Sequence, residues 1–285
     1  MIYNEDCVSG AKKHLADSSV DLFICDPPFG IGESSFDGQH YNRNSENVLE
    51  GYVEAPENYE KWADEWVGEM YRTLKETGTA YIISGWTNLR ELMNSCHNAG
   101  FTTQNHIIWK YDFGVYTRKK FVSSHYHILR LSKVQDNSKL TFNTNCRFSD
   151  DDRYDKDGVL FSFTQEQKDE FANKRKRTGK YVSKPGTSAV YKDMEDVFAI
   201  NKQNMPGAVK NNNKLPDELV SKMIEYSSNP GDVVCDFFMG NFTTAYCSTK
   251  LNRNVVGFEM NKEAYDYHIN NRRDNGTFNK KYSKI

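Results

Sequence analysis

The chain has 285 residues, 38% hydrophobic and 27% charged, which is ordinary for a soluble globular protein with a full α/β core and a modest second lobe. No apolar run approaches the roughly 18–20 residues that cross a bilayer, so no membrane partner is expected. Met1-Ile2-Tyr3-Asn4-Glu5-Asp6 has neither the cationic start nor the apolar core of a signal peptide, and an intracellular protein is expected.

Ile2-Tyr3 reads as a short strand and Ser9 to Leu15 as a helix. Ser19-Val20-Asp21-Leu22-Phe23-Ile24-Cys25 is a buried strand that stops at Asp26-Pro27-Pro28, because two prolines continue neither a ladder nor a helix. After Gly30, to about Pro56, the chain is polar and acidic, long for a loop, and reads as a mobile lid or a binding loop. Trp62, Trp66, Met70 and Leu74 recur at four-residue spacing in an amphipathic helix over Tyr59 to Lys75, ended by Gly78. Thr79 to Ile83 is the next strand, Asn88 to Asn98 a helix stopped by Gly100. His106 to Trp109 and Tyr126 to Leu131 are further strands. Between about 135 and 205 this rhythm fails, and the polar stretch reads as an insertion outside the main sheet. It resumes with a helix over Asp217 to Tyr226 opened by Pro216, a strand Val233 to Asp236, and a helix Asn241 to Leu251. A strand Asn254 to Glu259 and a helix Glu263 to Arg272 close the chain. Strands alternating with helices predict an α/β fold, a Rossmann-like three-layer arrangement around a mostly parallel sheet.

The net charge of −2 conceals a segregation. Residues 33–76 are strongly acidic. Residues 110–133 hold Lys110, Arg118, Lys119, Lys120, Arg130 and Lys133 against Asp112 alone, and 171–192 hold Lys174, Arg175, Lys176, Arg177, Lys180, Lys184 and Lys192 with no acid. Only the local field acts on a phosphate backbone, so these stretches are candidate nucleic-acid contacts. The six cysteines form no C-x-x-C pair, and His125-x-His127 places two imidazoles on one face of a strand, a structural pattern; no metal site is expected.

Two constellations carry chemistry. Asp26-Pro27-Pro28-Phe29 stands at the carboxyl end of a strand, where open α/β sheets place their sites. A conjugated exocyclic amino nitrogen is a poor nucleophile. The Asp26 carboxylate and the Pro27 carbonyl are suitable acceptors for its two N–H groups and would draw it toward tetrahedral geometry. Pro28 stiffens the turn, and Phe29 offers a face for stacking an extruded base. The second constellation is Asp236-Phe237-Phe238-Met239-Gly240-Asn241-Phe242-Thr243-Thr244, a strand, a glycine turn and a helix N-terminus that a ligand can approach. Glu259, at the end of the following strand, is placed to accept hydrogen bonds from ribose hydroxyls.

These features resemble the amino-methylating DNA methyltransferases of the permuted, beta-type order, in which the catalytic half precedes the cofactor half. Residues 3–7 and 20–29 are similar to that family's opening, Ile107-Ile108-Trp109-Lys110 and 120–129 to its middle, and Asn213-Lys214-Leu215-Pro216 to the segment ahead of the glycine turn. The resemblance implies S-adenosylmethionine as cofactor, held by Asp6, Cys7, Asp26, Lys214, Asp236, Phe238, Gly240, Asn241, Thr243, Thr244, Glu259 and Met260. Catalysis falls to Asp26, Pro27, Pro28 and Phe29. Double-stranded DNA would meet Lys110, Arg118, Lys119, Lys120, Lys174, Arg175, Lys176 and Arg177. Residues 1–134 would form the catalytic half, 135–205 the target-recognition region and 206–285 the cofactor half. A homodimer, a cognate restriction endonuclease and a cytoplasmic, nucleoid-associated setting in a prokaryotic or phage-infected cell come with the resemblance. Its acidic first tetrapeptide residue points to adenine N6 in a specific DNA sequence.

Four departures stand out. Phe29 replaces the family's usual tyrosine. In the D-P-F-x-G-S-G-T-T turn, Phe237 replaces the proline, Asn241 the serine and Phe242 the second glycine. Phe242 either obstructs the methionine end of the cofactor or turns into the core. Cytosine-N4 methylation, an RNA or protein substrate, and a catalytically impaired DNA-binding relative are the alternatives.

Overall fold

The computed structural model describes residues 1–30, 54–112, 114, 116, 118–144, 146–147, 193–203 and 214–271. The chain divides into two compact units, Met1–Phe142 with Asp196–Ile285, and Asn143–Glu195. In the second unit, the described residues include an ion pair between Arg147 Nε and Asp193 at 3.1 Å.

An eight-stranded sheet forms the centre of the first unit: β1 (Ile2–Tyr3), β2 (Val20–Cys25), β3 (Leu74–Ser84), β4 (Thr102–Lys110), β5 (His125–Ser132), β6 (Val197–Ala199), β7 (Val233–Asp236) and β8 (Asn254–Phe258). The spatial order is β1-β8-β7-β2-β3-β5-β4-β6. Strand β5 runs antiparallel to β3 and β4, and all other pairings are parallel.

The central strand explains the layers. Leu22, Phe23, Ile24 and Cys25 have no solvent exposure, the continuous apolar run of a strand covered on both faces. Alternation along β2 sends Phe23 and Cys25 to one side, against α1 (Cys7–His14), α2 (Tyr59–Thr73) and α3 (Leu89–Ala99). Leu22 and Ile24 face the other side, where they pack with Leu219, Val220, Met223 and Ile224 of α4 (Asp217–Ser227). Helices α5 (Thr243–Lys250) and α6 (Lys262–Asn271) complete the order. In α2 the buried set is Tyr59, Ala63, Trp66, Val67, Met70 and Thr73, a stripe at three- and four-residue spacing that leaves Trp62 at its margin. Asp217 and Glu218 in the first turn of α4 suit its dipole.

Two sequence expectations are corrected. Gly78 does not end α2; the strand begins four residues earlier, at Leu74, and Gly78 lies inside it. A Cβ at Gly78 would come 2.8 Å from the Asp21 carbonyl oxygen, so the glycine marks a close approach of two strands rather than a helix stop. The stretch 135–205 is not wholly outside the sheet either. Val197–Ala199 forms β6, parallel to β4 in the register Ile108↔Val197 to Lys110↔Ala199. Three residues are too few to show a period.

The connections decide where a ligand site belongs. From β7 the chain passes through α5 to β8 on one side, and from β2 it passes through α2 to β3 on the other. Strands β7 and β2 are neighbours, so the order reverses between them, and the crevice opens beyond their carboxyl ends.

Candidate active site

The last residue of β7 is Asp236 and the first residue after β2 is Asp26, so the reversal point carries two carboxylates. Burial, then the charge of Asp236, pushes Asp26 up to about 8, with Lys202 opposing the rise. Burial raises Asp236 to about 7; the Thr244 side chain and the Phe238 amide hold it down, and Glu259 adds to the rise. The Phe238 N–H donates to Asp236 Oδ1 at 2.9 Å. Both rises come first from burial, which penalises the charged form of each acid.

The tetrapeptide is held from outside. Asn88 Nδ2 donates to the carbonyl oxygens of Phe29 at 2.8 Å and Gly30 at 3.0 Å, and the Gly30 N–H donates to Glu54 Oε1 at 2.8 Å. Phe29 lies 5.4 Å from the ring of Tyr126, which in turn lies 5.4 Å from Trp109 and 5.3 Å from Tyr111. These rings form an aromatic wall against the Phe29 end of the tetrapeptide. Strand β4 runs parallel to β3 through their shared partner β5, so the β4–β5 connection emerges on the same edge as Asp26. Lys110, Arg118, Lys119 and Lys120 are exposed on that connection. Lys174, Arg175, Lys176 and Arg177, and the acidic loop from 31 to 53, lie outside the described residues.

On the cofactor side, Gly240 has φ +46° and its N–H donates to Glu259 Oε2 at 2.7 Å, while the Asn261 N–H donates to Oε1 at 2.8 Å. Asn4 Nδ2 donates to the carbonyls of Glu259 at 2.7 Å and Met260 at 3.2 Å, tying the segment that holds Asp6 to the end of β8. Asp6 itself caps α1, its Oδ1 accepting from the Ser9 N–H at 2.9 Å. Cys7 is packed in the core, where burial pushes its thiol up, leaving its main chain as the part that can serve a ligand. Met260 is exposed and Asn241 half-buried. Lys214 is buried and paired with Asp217 at 2.7 Å, at the foot of α4.

Of the two possibilities for Phe242, the ring turns into the core. It has no solvent exposure and packs with Met239, Ala245 and Val255, 5.2 Å from the ring of His268. Its backbone sits at φ +57°, a conformation that favours glycine.

A cationic cofactor fits these residues. Asp26 and Asp236 call for positive charge, and Thr243 Oγ1, at the start of α5, is buried with no hydrogen-bond partner among the described residues. No cluster of His, Cys, Asp and Glu able to hold a metal ion occurs among the described residues.

Sequence reading missed Asn88, Glu54 and Lys202. Asn88 had a signal, being at a helix N-cap position, but its side chain serves the tetrapeptide instead of the helix. Glu54 was hidden in an acidic stretch and Lys202 in a segment with no period.

A family model for DNA methylases, spanning both the N6 and N4 amino positions, matches residues 20–271. The chain belongs to this family. It is 29% identical over 263 residues to the DNA adenine methyltransferase YhdJ of Escherichia coli (strain K12), covering 92% of this chain and 79% of that one. It is 28% identical over 257 residues to the Type II methyltransferase M.HpaI of Haemophilus parainfluenzae, covering 89% of this chain and 68% of the relative. The crystal structure of the M1.HpyAVI–SAM complex has the same fold, with a TM-score of 0.53 at 17% identity, covering 94% of this chain and 97% of that chain. No helix among the described residues is long and apolar enough to cross a membrane.

Proposed function

We propose that this protein transfers the methyl group of S-adenosylmethionine to the exocyclic N6 of adenine in a specific sequence of double-stranded DNA. The observation that carries this reading is the pair of carboxylates, Asp236 buried and Asp26 half-buried, that stand at the ends of neighbouring strands where the strand order reverses. When bound, S-adenosylmethionine supplies an electrophilic methyl carbon on a positively charged sulfur. Asp236 and Asp26 favour that charge, and Glu259 with the Gly240 turn is the candidate ribose side of the cleft. Asp26 accepts one N–H of the target amino group and the Pro27 carbonyl the other, so that the nitrogen lone pair is freed for in-line attack. Transfer would form one N–C bond as the S–C bond of the bound donor breaks, and Asp26 would pass the proton shed by the nitrogen to solvent. Phe29 and Tyr126 provide stacking faces for a flipped base.

The exposed cations from Lys110 to Lys120 and those from Lys174 to Arg177 hold phosphates in this reading, and residues 135–205 read the target between the two halves at 1–134 and 206–285. A second copy of this chain and a cognate restriction endonuclease are its further partners. Adenine is favoured by the acidic Asp26 and by the name of the Escherichia coli relative. Incubation with labelled cofactor and duplex DNA, followed by nucleoside analysis, should yield N6-methyladenine. N4-methylcytosine as sole product overturns the base assignment, and unlabelled nucleosides overturn the reaction.

The two acids also set a pH dependence. Because burial raises both in the folded chain, the cofactor-free fold holds protons that the unfolded chain has already released near 4. Their contribution to stability is therefore lost as pH rises from about 4, and fully lost above about 8. Cofactor binding has the opposite sign, since the sulfonium prefers both acids ionised. Calorimetric titration should show affinity weakening about tenfold or more between about pH 8.5 and 6; a pH-independent dissociation constant would remove these carboxylates from the cofactor site.

A further inference from the structure

Lys202 is absent from every motif of the sequence, yet the fold seats it on the aromatic rings against which Phe29 of the tetrapeptide packs. It follows β6 on a segment pinned at both ends. On one side the Ile200 N–H donates to the Lys110 carbonyl at 3.1 Å, and Trp109 Nε1 donates to the Ile200 carbonyl at 2.7 Å. On the other, Gln203 Oε1 accepts the Asp217 N–H at 2.9 Å, at the start of α4. Between these anchors the Lys202 ammonium is half-buried, 4.4 Å from the ring centre of Tyr111 and 5.1 Å from that of Tyr126. Tyr126 is also the ring against which Phe29 packs. The aromatic wall of the tetrapeptide thus doubles as the seat of a cation.

We propose that Lys202 is the counter-charge of Asp26 and a positioning residue for methyl transfer, seated by Tyr111 and Tyr126 so that the carboxylate is presented to the target amino group. The inference rests on the methyl-transfer reading above and extends it to a residue outside its motifs. A lysine held by two aromatic faces, with no direct ion pair among the described residues, suits the role: the carboxylate oxygens stay available to an N–H donor while the charge is balanced from nearby.

The groups around Asp26 fix the sign of the effect. Asp236 from β7 raises it and Lys202 from beyond β6 lowers it. Glu259 from β8 acts on Asp236. Burial pushes the Tyr111 phenol, just after β4, upward. Glu54 accepts from the Gly30 and Ala55 N–H groups, and Lys214 is engaged by Asp217. Burial lowers Lys202 while Asp26 raises it, the reciprocal of its action on Asp26. Removing the ammonium therefore leaves Asp26 protonated to higher pH.

Lys202→Met and Lys202→Arg, compared with wild type over about pH 6–9, test this. In Lys202→Met the acid limb of the single-turnover methylation rate should move up by about one pH unit, a roughly tenfold loss at neutral pH that recovers at alkaline pH. Lys202→Arg should keep the wild-type limb. Independently of turnover, carbon-13 NMR of aspartate-labelled, cofactor-free protein should show the same upward displacement of the Asp26 titration in Lys202→Met, the signal being assigned by its loss in Asp26→Asn. An unmoved limb and unmoved titration, or Lys202→Arg behaving like Lys202→Met, overturns the inference while wild-type transfer leaves the reaction standing. Wild-type protein without transfer overturns both.

Discussion

Asp26→Asn abolishes useful methyl transfer, lowering the single-turnover rate by about 10²–10⁴-fold, while duplex DNA is still bound. The substitution keeps the shape of the side chain and removes its charge. An asparagine oxygen can still accept one N–H, but its amide nitrogen offers donors where the reaction needs an acceptor. It also removes the group through which the proton leaves. The fold should tolerate the change, because in the wild type the carboxylate is the destabilised partner: burial and Asp236 both oppose its charge. Cofactor-free Asp26→Asn should therefore melt no lower than wild type at alkaline pH, where the wild-type acid is ionised against its surroundings. Chemical-quench single-turnover assays, DNA titration and thermal melts check the three parts together. Retained turnover within about tenfold of wild type would remove Asp26 from its role.

The order of elements was legible because the fold depends on burial pattern. The apolar run from Val20 to Cys25 has to be a covered strand, and the turn at Asp26-Pro27-Pro28 has to end it. The helix stop at Gly100, in a left-handed conformation at φ +101°, was legible for the same kind of local reason. Features set by one chain segment leaning on another were not. Gly78 carried a helix-stop signal, but the Asp21 carbonyl close beside it gives the glycine its purpose. Strand β6 exists because the edge of β4 offers it hydrogen bonds, not because three residues announce it. The site divides along the same line. Asp26, Asp236 and Glu259 end strands and were found by position. Asn88 and Lys202 come from elsewhere in the chain and act at Asp26 and Phe29 only once the sheet has closed.

Phe242 joins both kinds of information and gives the second large effect. Its left-handed backbone costs about 1–3 kcal/mol for a residue with a Cβ, whereas its fully buried ring, packed on Met239, Ala245 and Val255, is worth about 3–5 kcal/mol against alanine. The packing wins, which accounts for a phenylalanine where the related turn has glycine. Two substitutions separate the backbone cost from the ring's contribution. Phe242→Ala empties the pocket and keeps the strained backbone, so urea unfolding should show a loss of about 3–5 kcal/mol. Phe242→Gly empties the same pocket but relieves the backbone, so it should be less damaging than alanine by about 1 kcal/mol, although glycine is ordinarily the more costly residue. Neither should tighten S-adenosylmethionine binding, because the ring lies in the core with Tyr265 and His268 beside it rather than in the cleft. A glycine variant that binds the cofactor about tenfold more tightly, with unchanged stability, would instead mean that the ring obstructs the site. Phenylalanine at this position thus anchors the mouth of the turn to the core beneath it, and the cofactor side of the turn is left to Gly240 and Glu259. The reversed ranking of alanine and glycine is the signature of that anchor.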